Sequence, residues 1–150
     1  MYTIKAPATA AEFVQYYQLR WKILRKPWQQ ALGTEQDAQE SSSIHRMITD
    51  EQGNVVAVGR LEKSTSHQGQ IRFMAVDDNM QGQGLGQKII NDLEQKASQV
   101  GMSEIMLNAR ESAIGFYQKL GYETEGYSHT LFNDVKHYRM IKHLNRGHLG

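Results

Sequence analysis

The stretch QIRFMAV (70–76), DDNM (77–80), QGQGLG (81–86) and QKIINDLEQKASQV (87–100) decides how the chain is read. It runs from an apolar strand through a short polar turn and a glycine-rich loop into an amphipathic helix. In Gln81-Gly82-Gln83-Gly84-Leu85-Gly86, three glycines at alternate positions remove side chains that would hold an anion away from the backbone N–H groups. The helix expected after Gly86 contributes its own donors, because its first N–H groups lack intrahelical partners and its dipole is positive at that end. A diphosphate suits such a place. Ile89, Ile90, Leu93, Ala97 and Val100 recur at helical spacing, and Gly101 is placed to close the helix in a left-handed conformation.

Two common phosphate loops do not fit. The dinucleotide pattern GxGxxG fails because Gln87 stands where its third glycine belongs and no strand supplies the downstream acidic residue; no Gly-Lys-Ser/Thr occurs for a P-loop. The pattern that fits is Q/R-x-x-G-x-G/A, occupied by Gln81, Gly84 and Gly86, directly after Met74-Ala75-Val76. A plain strand-to-helix turn can also look like this. A second motif lies further along, with Asn108 at a strand end and then Phe116-Tyr117-Gln118-Lys119-Leu120-Gly121-Tyr122.

Together the two motifs resemble the GNAT superfamily of acyl-CoA-dependent N-acetyltransferases, in which an Asn ending a strand is followed by F-Y-x-K-x-G-F/Y. The resemblance covers residues 55–140; earlier residues match it only in element order. It implies an α/β fold with a mixed, mostly antiparallel sheet, a splayed central pair of parallel strands and flanking helices. It also implies acetyl-CoA as cosubstrate. The amides of Gly82, Gln83, Gly84, Leu85, Gly86 and Gln87 would take the pyrophosphate, with Gln81 beside them as a cofactor-binding residue and Lys88 adding charge. The backbone of Met74, Ala75 and Val76 would run beside the pantetheine, and Asn108 would bind its amide. Tyr117 would act as general acid, giving a proton to the departing thiolate. Simpler accounts stand beside these: core packing for Met74 and Val76, a strand-ending turn for Asn108, and a buried hydroxyl bonded to backbone for Tyr117.

A base is less legible. Members of the histone type carry a glutamate on the strand before the loop, but an ungapped count puts Gln70 there, and an amide nitrogen is no proton acceptor. Glu62 on the preceding strand and His137 on the last one are the candidates, each against the reading of a solvated or structurally bonded side chain. His45, His67, His129, His143 and His148 show no metal-ligand spacing, so no metal site is expected.

At 150 residues the chain reads as one domain over 1–150, large enough for a core without disulfides or metal. A formal net charge of +1 gives no basic field for nucleic acid, which disfavours a nucleic-acid-binding module. No cysteine is present, which removes disulfides, thiolate metal sites and a cysteinyl intermediate. Direct attack of an amine on the thioester in a ternary complex is the simpler scheme. No run approaches the roughly 20 apolar residues that cross a bilayer, so a cytoplasmic protein without membrane contact is expected.

Before the central stretch, residues 2–5 read as a strand. Thr9-Ala10-Ala11-Glu12 reads as a capping box opening a helix with Phe13, Tyr16, Tyr17, Leu19, Ile23 and Leu24 on one side, stopping before Pro27. The carboxylates Glu35, Asp37 and Glu40 lie in a polar segment read as a solvated loop; the alternative, which the resemblance raises, is a lining for a cationic acceptor. Strands are expected at 43–49, 55–62, 70–76 and 104–108, the last parallel to its predecessor across the helix. A helix at 112–120 and a hairpin over 122–144 that turns near Asn133-Asp134 complete the pattern, and RGHLG at 146–150 is expected to be loose. The acceptor is a small-molecule or protein amine, and a homodimer is compatible with the edge strands. The rival from another class is a CoA-binding sensor or scaffold without turnover.

Overall fold

The computed structural model describes residues 1–144, so RGHLG and His148 lie outside the described residues. The elements in order are β1 (Thr3–Lys5), α1 (Ala10–Leu24), β2 (Ile44–Thr49), β3 (Val55–Lys63), β4 (Gln68–Val76), α2 (Leu85–Gln99), β5 (Glu104–Arg110), α3 (Ile114–Lys119), β6 (Glu123–Leu131) and β7 (Val135–His143). The strands are ordered β1-β2-β3-β4-β5-β7-β6, and β4 with β5 is the parallel pair among antiparallel neighbours. Among the described residues no helix is long and apolar enough to cross a membrane.

The chain divides into two compact units, one of residues 1–62 and 73–93, the other of 63–72 and 94–150. In the first, Thr9 caps α1 by accepting from the Glu12 amide at 3.1 Å, while the Glu12 carboxylate accepts from the Thr9 amide at 3.2 Å and from Lys5. That carboxyl is held down to about pKa 2, first by the Lys5 ammonium and then by the Ala8 and Thr9 amides. Tyr16 and Leu19 of α1 pack on Met47, Val55, Val58 and Ala75. Alternation along β3 turns Gly59 the other way, toward Ile89 and Leu93 of α2. A Cβ on Gly59 would sit 2.6 Å from Ile89 Cγ2 and 2.7 Å from Met74 Sδ, so a glycine is what lets α2 lie this close.

In the second unit the parallel ladder pairs Gln68–Gln70 with Glu104–Met106, and the Gln68 amide donates to Glu104 at 2.6 Å. Both strands outrun the expected limits: β4 starts at Gln68, paired with Glu104, and β5 reaches Arg110, paired with His137 of β7. Gly101 (φ +86°) closes α2 as expected, and Gly121 (φ +96°) follows α3. The last helix is shorter than expected: residues 111–113 form a separate 3-10 turn. The β6–β7 hairpin reverses through two successive left-handed residues, Phe132 and Asn133.

Candidate active site

In the first unit the glycine-rich loop leaves β4 after Val76 through a 3-10 turn at Asp78–Met80, capped by the Asp77 carboxylate. Gly82 (φ +83°) and Gly84 (φ +76°) take the left-handed conformation that the loop requires. No atom lies within 4 Å of where a Cβ on either would sit, so the backbone there is open to a large anion. The helix begins at Leu85, earlier than the expected start after Gly86; the first helical bond runs from Lys88 N to Gly84 O, at 3.1 Å. Gly86 thus lies inside the first turn, and the amides of Leu85, Gly86 and Gln87 precede any residue that could pair with them within the helix. The Leu85 side chain, 1% exposed, anchors that turn in the core. Tyr2 donates to Gln83 Oε1 at 2.7 Å, Lys88 Nζ lies 5.4 Å from the Tyr2 ring, and Gln81 reaches back to Val76 O at 3.4 Å. These residues fit a pyrophosphate: bare left-handed glycines, a helix start and one adjacent cation.

The strand feeding the loop carries a feature the sequence did not announce. Phe73 has φ +56°, in the middle of β4 and immediately before Met74, Ala75 and Val76. An aromatic side chain with a left-handed backbone is strained. Its ring lies 4.3 Å from the Arg20 guanidinium, 4.7 Å from that of Arg60 and 5.6 Å from that of Arg25.

Arg20 and Arg60 are both fully buried. Arg20 donates to Glu40 Oε2 (2.8 Å), to the Glu35 carbonyl (2.9 Å) and to the Tyr16 hydroxyl (3.1 Å). Arg60 donates to Asp37 through both Nη atoms (2.7 and 3.0 Å), to the same Glu40 Oε2 (2.8 Å) and to Glu62. Of the carboxylates read as a solvated loop, Asp37 and Glu40 are therefore the counterions of two buried guanidinium groups, while Glu35, itself 4% exposed, meets Arg20 through its backbone carbonyl. Burial pushes the Glu35 carboxyl up, but bonds from the Gln36 side chain and the Gly33 amide, with the Arg20 charge, leave it below the ordinary value. His45 Nε2 donates to the Glu40 carbonyl at 2.6 Å, so Nδ1 accepts from Tyr16 at 2.8 Å, and burial holds this ring neutral by lowering its pKa. Sequence patterning missed Arg20 and Arg60. Their signal was present as cations on the inward faces of α1 and β3, beside a chain segment rich in carboxylates.

Of the base candidates, Glu62 is held by Arg60, and His137 Nδ1 donates to the Val135 carbonyl at 3.0 Å. His137 also stacks on His129, centroids 4.7 Å apart.

In the second unit Asn108 lies within β5 opposite Arg139 rather than at the strand's end. Tyr117, on α3, is 8% exposed, edge-on to Phe116 and Tyr122. Burial pushes its hydroxyl up to about 12 against the opposing Arg110 charge, so it stays protonated across the ordinary pH range.

A family model described as an acetyltransferase (GNAT) domain matches residues 12–144. Glucosamine 6-phosphate N-acetyltransferase of Candida albicans is 33% identical over 86 residues, 53% of this chain and 58% of its own. Glucosamine 6-phosphate N-acetyltransferase 1 of Dictyostelium discoideum is 33% identical over 64 residues, 43% of this chain and 41% of its own. The chain spans about half the length of the curated relatives it matches. Among solved structures, an acyl-CoA N-acyltransferase from Pseudomonas aeruginosa has a TM-score of 0.79 at 21% identity, over 95% of this chain and 98% of that one. An aminoglycoside 6'-N-acetyltransferase complexed with coenzyme A has a TM-score of 0.79 at 16% identity, over 95% and 97% of the two chains. At such identities the likeness is one of fold. The family match takes in the glycine-rich loop, β4, β5 and α3 together, and on that ground the chain belongs to the GNAT acetyltransferases.

Proposed function

We propose that this protein is an N-acetyltransferase, a single domain over 1–150, moving acetyl from acetyl-CoA to a primary amine by direct attack in a ternary complex. One observation carries the reading: Gly82 and Gly84, both left-handed and open, lead into a helix start directly after β4, in a chain of this family. The amides of residues 82–87 would hold the pyrophosphate, with Gln81, Gln83 and Lys88 beside them. The backbone of Met74, Ala75 and Val76 would pair with the pantetheine as an added strand would, and an N–H there would polarise the thioester carbonyl. Asn108 would bind the pantetheine amide.

The amine must lose a proton to attack, and Glu62, oriented by Arg60, is the proposed acceptor, directly or through water. The amine nitrogen bonds to the carbonyl carbon, the C–S bond breaks, and Tyr117 gives its proton to the sulfur. A hydroxyl kept protonated by burial is suited to that donation. The same reading places the protein in the cytoplasm and allows a homodimer through β6, the last strand in the order.

Thiol release from acetyl-CoA, followed over a panel of primary amines, tests this. Turnover with at least one amine class is expected. Tight CoA binding with silence across the panel would replace the enzyme by a CoA sensor, and absence of CoA binding would remove both.

A further inference from the structure

We propose that Arg20 and Arg60 clamp the Phe73 ring, and that this clamp fixes the course of the Met74–Val76 backbone, making all three positioning residues for acyl transfer. The functional half of this inference rests on the reading above, in which that backbone carries the thioester; the clamp does not.

Within β4, Phe73 has a backbone conformation that a glycine adopts freely and an aromatic residue resists. Something must hold it, and its surroundings show what does. The guanidinium carbons of Arg20 and Arg60 lie 4.3 and 4.7 Å from the ring centroid, inside cation–π range. Neither cation can drift. Glu40 Oε2 accepts from both at 2.8 Å, Asp37 binds Arg60 through two bonds, and the Glu35 carbonyl and Tyr16 hydroxyl fix Arg20. Tyr16 and Glu40 are tied in turn to His45. The chain of contacts runs from α1 through residues 35–40 and β3 to one ring, and the next residue along is Met74.

A network of this kind is a poor device for stability alone. Two guanidinium groups at 0% exposure are costly to desolvate, and Arg20 Nε, Arg60 Nε and Glu40 Oε1 are buried without a hydrogen-bond partner among the described residues. Apolar side chains of similar volume would pack there at less cost. They would not offer flat cationic faces whose positions are dictated by bidentate bonds. Position is what a strand presenting N–H groups to a thioester needs, since a displacement of about 1 Å at the reacting atoms can cost on the order of a hundredfold in rate.

The test uses the whole protein with Phe73→Leu, Phe73→Tyr and Phe73→Gly. Leucine keeps apolar bulk but has no π face, tyrosine keeps the face, and glycine accepts the backbone conformation without a ring. Amide hydrogen exchange of residues 73–76, measured without CoA, should speed up by about tenfold or more in Phe73→Leu and Phe73→Gly and return to wild-type values in Phe73→Tyr. Exchange in α2 should stay unchanged. Turnover should follow the same pattern, kcat falling roughly tenfold or more while KM for acetyl-CoA moves less than about threefold, because the glycine loop is intact. Unchanged exchange at 73–76 in Phe73→Gly would overturn the clamp. So would tyrosine failing to rescue, or protection lost evenly across the unit. If Phe73→Leu does not fold, Phe73→Gly against Phe73→Tyr carries the comparison. If exchange follows this pattern while the wild type acetylates no amine, the clamp stands and the acetyltransferase reading is what fails.

Discussion

Gly59→Ala should destabilise the protein although it adds one methyl group to a strand residue with an ordinary backbone. The new Cβ would lie 2.6 Å from Ile89 Cγ2, 2.7 Å from Met74 Sδ and 3.1 Å from Leu93 Cδ1. Carbon contacts are comfortable at about 3.5–4.0 Å, so the first two groups must retreat by roughly 1 Å. Ile89 and Leu93 are both at 0% exposure, with no solvent to retreat into. Overpacking of this sort costs about 1–3 kcal/mol. Replacing glycine also reduces the entropy of the unfolded chain, which returns about 0.4–1 kcal/mol. A net loss of about 1–2 kcal/mol follows, which at an m-value near 2 kcal/mol/M lowers the urea midpoint by roughly 0.5–1 M. Trp21 and Trp28, the two tryptophans, both belong to the unit that holds Gly59, so their fluorescence reports the right transition. A midpoint equal to or above wild type, at unchanged slope, would show that α2 is not seated on Gly59.

Three further outcomes are expected. Tyr117→Phe should lower turnover by about a hundredfold while calorimetry finds CoA affinity unchanged; equal turnover across pH would remove this hydroxyl as the acid. Gly84→Asp puts a carboxylate on a residue at φ +76° with open space around it, at a backbone strain of about 1–2 kcal/mol, so the fold should survive slightly weakened while CoA binding falls further by charge repulsion; equal affinity would show that the loop does not hold the pyrophosphate. His45 has a folded pKa below its ordinary 6.5, first because burial penalises the imidazolium. The unfolded chain therefore binds more protons than the folded one near that value, so the stability the neutral ring supports is whole above about pH 6.5 and drains away as pH falls toward the depressed folded value. Urea midpoints from pH 8 down to 5 should decline, and less so in His45→Asn; identical slopes in the two proteins would contradict this.

What the sequence disclosed was largely local. The Thr9–Glu12 capping box, the stop before Pro27, the left-handed Gly101 and the loop glycines each depend on a few neighbouring residues and a backbone rule, and each is found in place. The extra residues of β4 and β5 were not visible because Gln68 and Arg110 look like turn residues until their strand partners are known. The larger omission was the charged interior. A pattern that sorts residues into apolar and polar sends Arg20 and Arg60 outward. Their burial depends on carboxylates at 37, 40 and 62, and pairing across such separations is set by the folded chain rather than by any window of sequence. Arg20 nevertheless interrupts the Phe13, Tyr16, Tyr17 and Leu24 face at its helical repeat, and Arg60 sits in register with Val56 and Val58 in β3. A cation in an otherwise inward series, with unmatched acids nearby, is the cue that was available. The Phe73 bend had no cue, since nothing in FMAV announces a left-handed residue.

The bond from Tyr2 to Gln83 has a practical sequel for anyone preparing the protein. A purification tag spliced onto residue 1 sits next to the side chain that steadies the loop proposed to hold the pyrophosphate, and Tyr2 also lies beneath the Lys88 ammonium. If the loop binds CoA as proposed, dissociation constants taken from tagged material would mix the handle's pull with the loop's own grip, and only cleaved protein would report the latter.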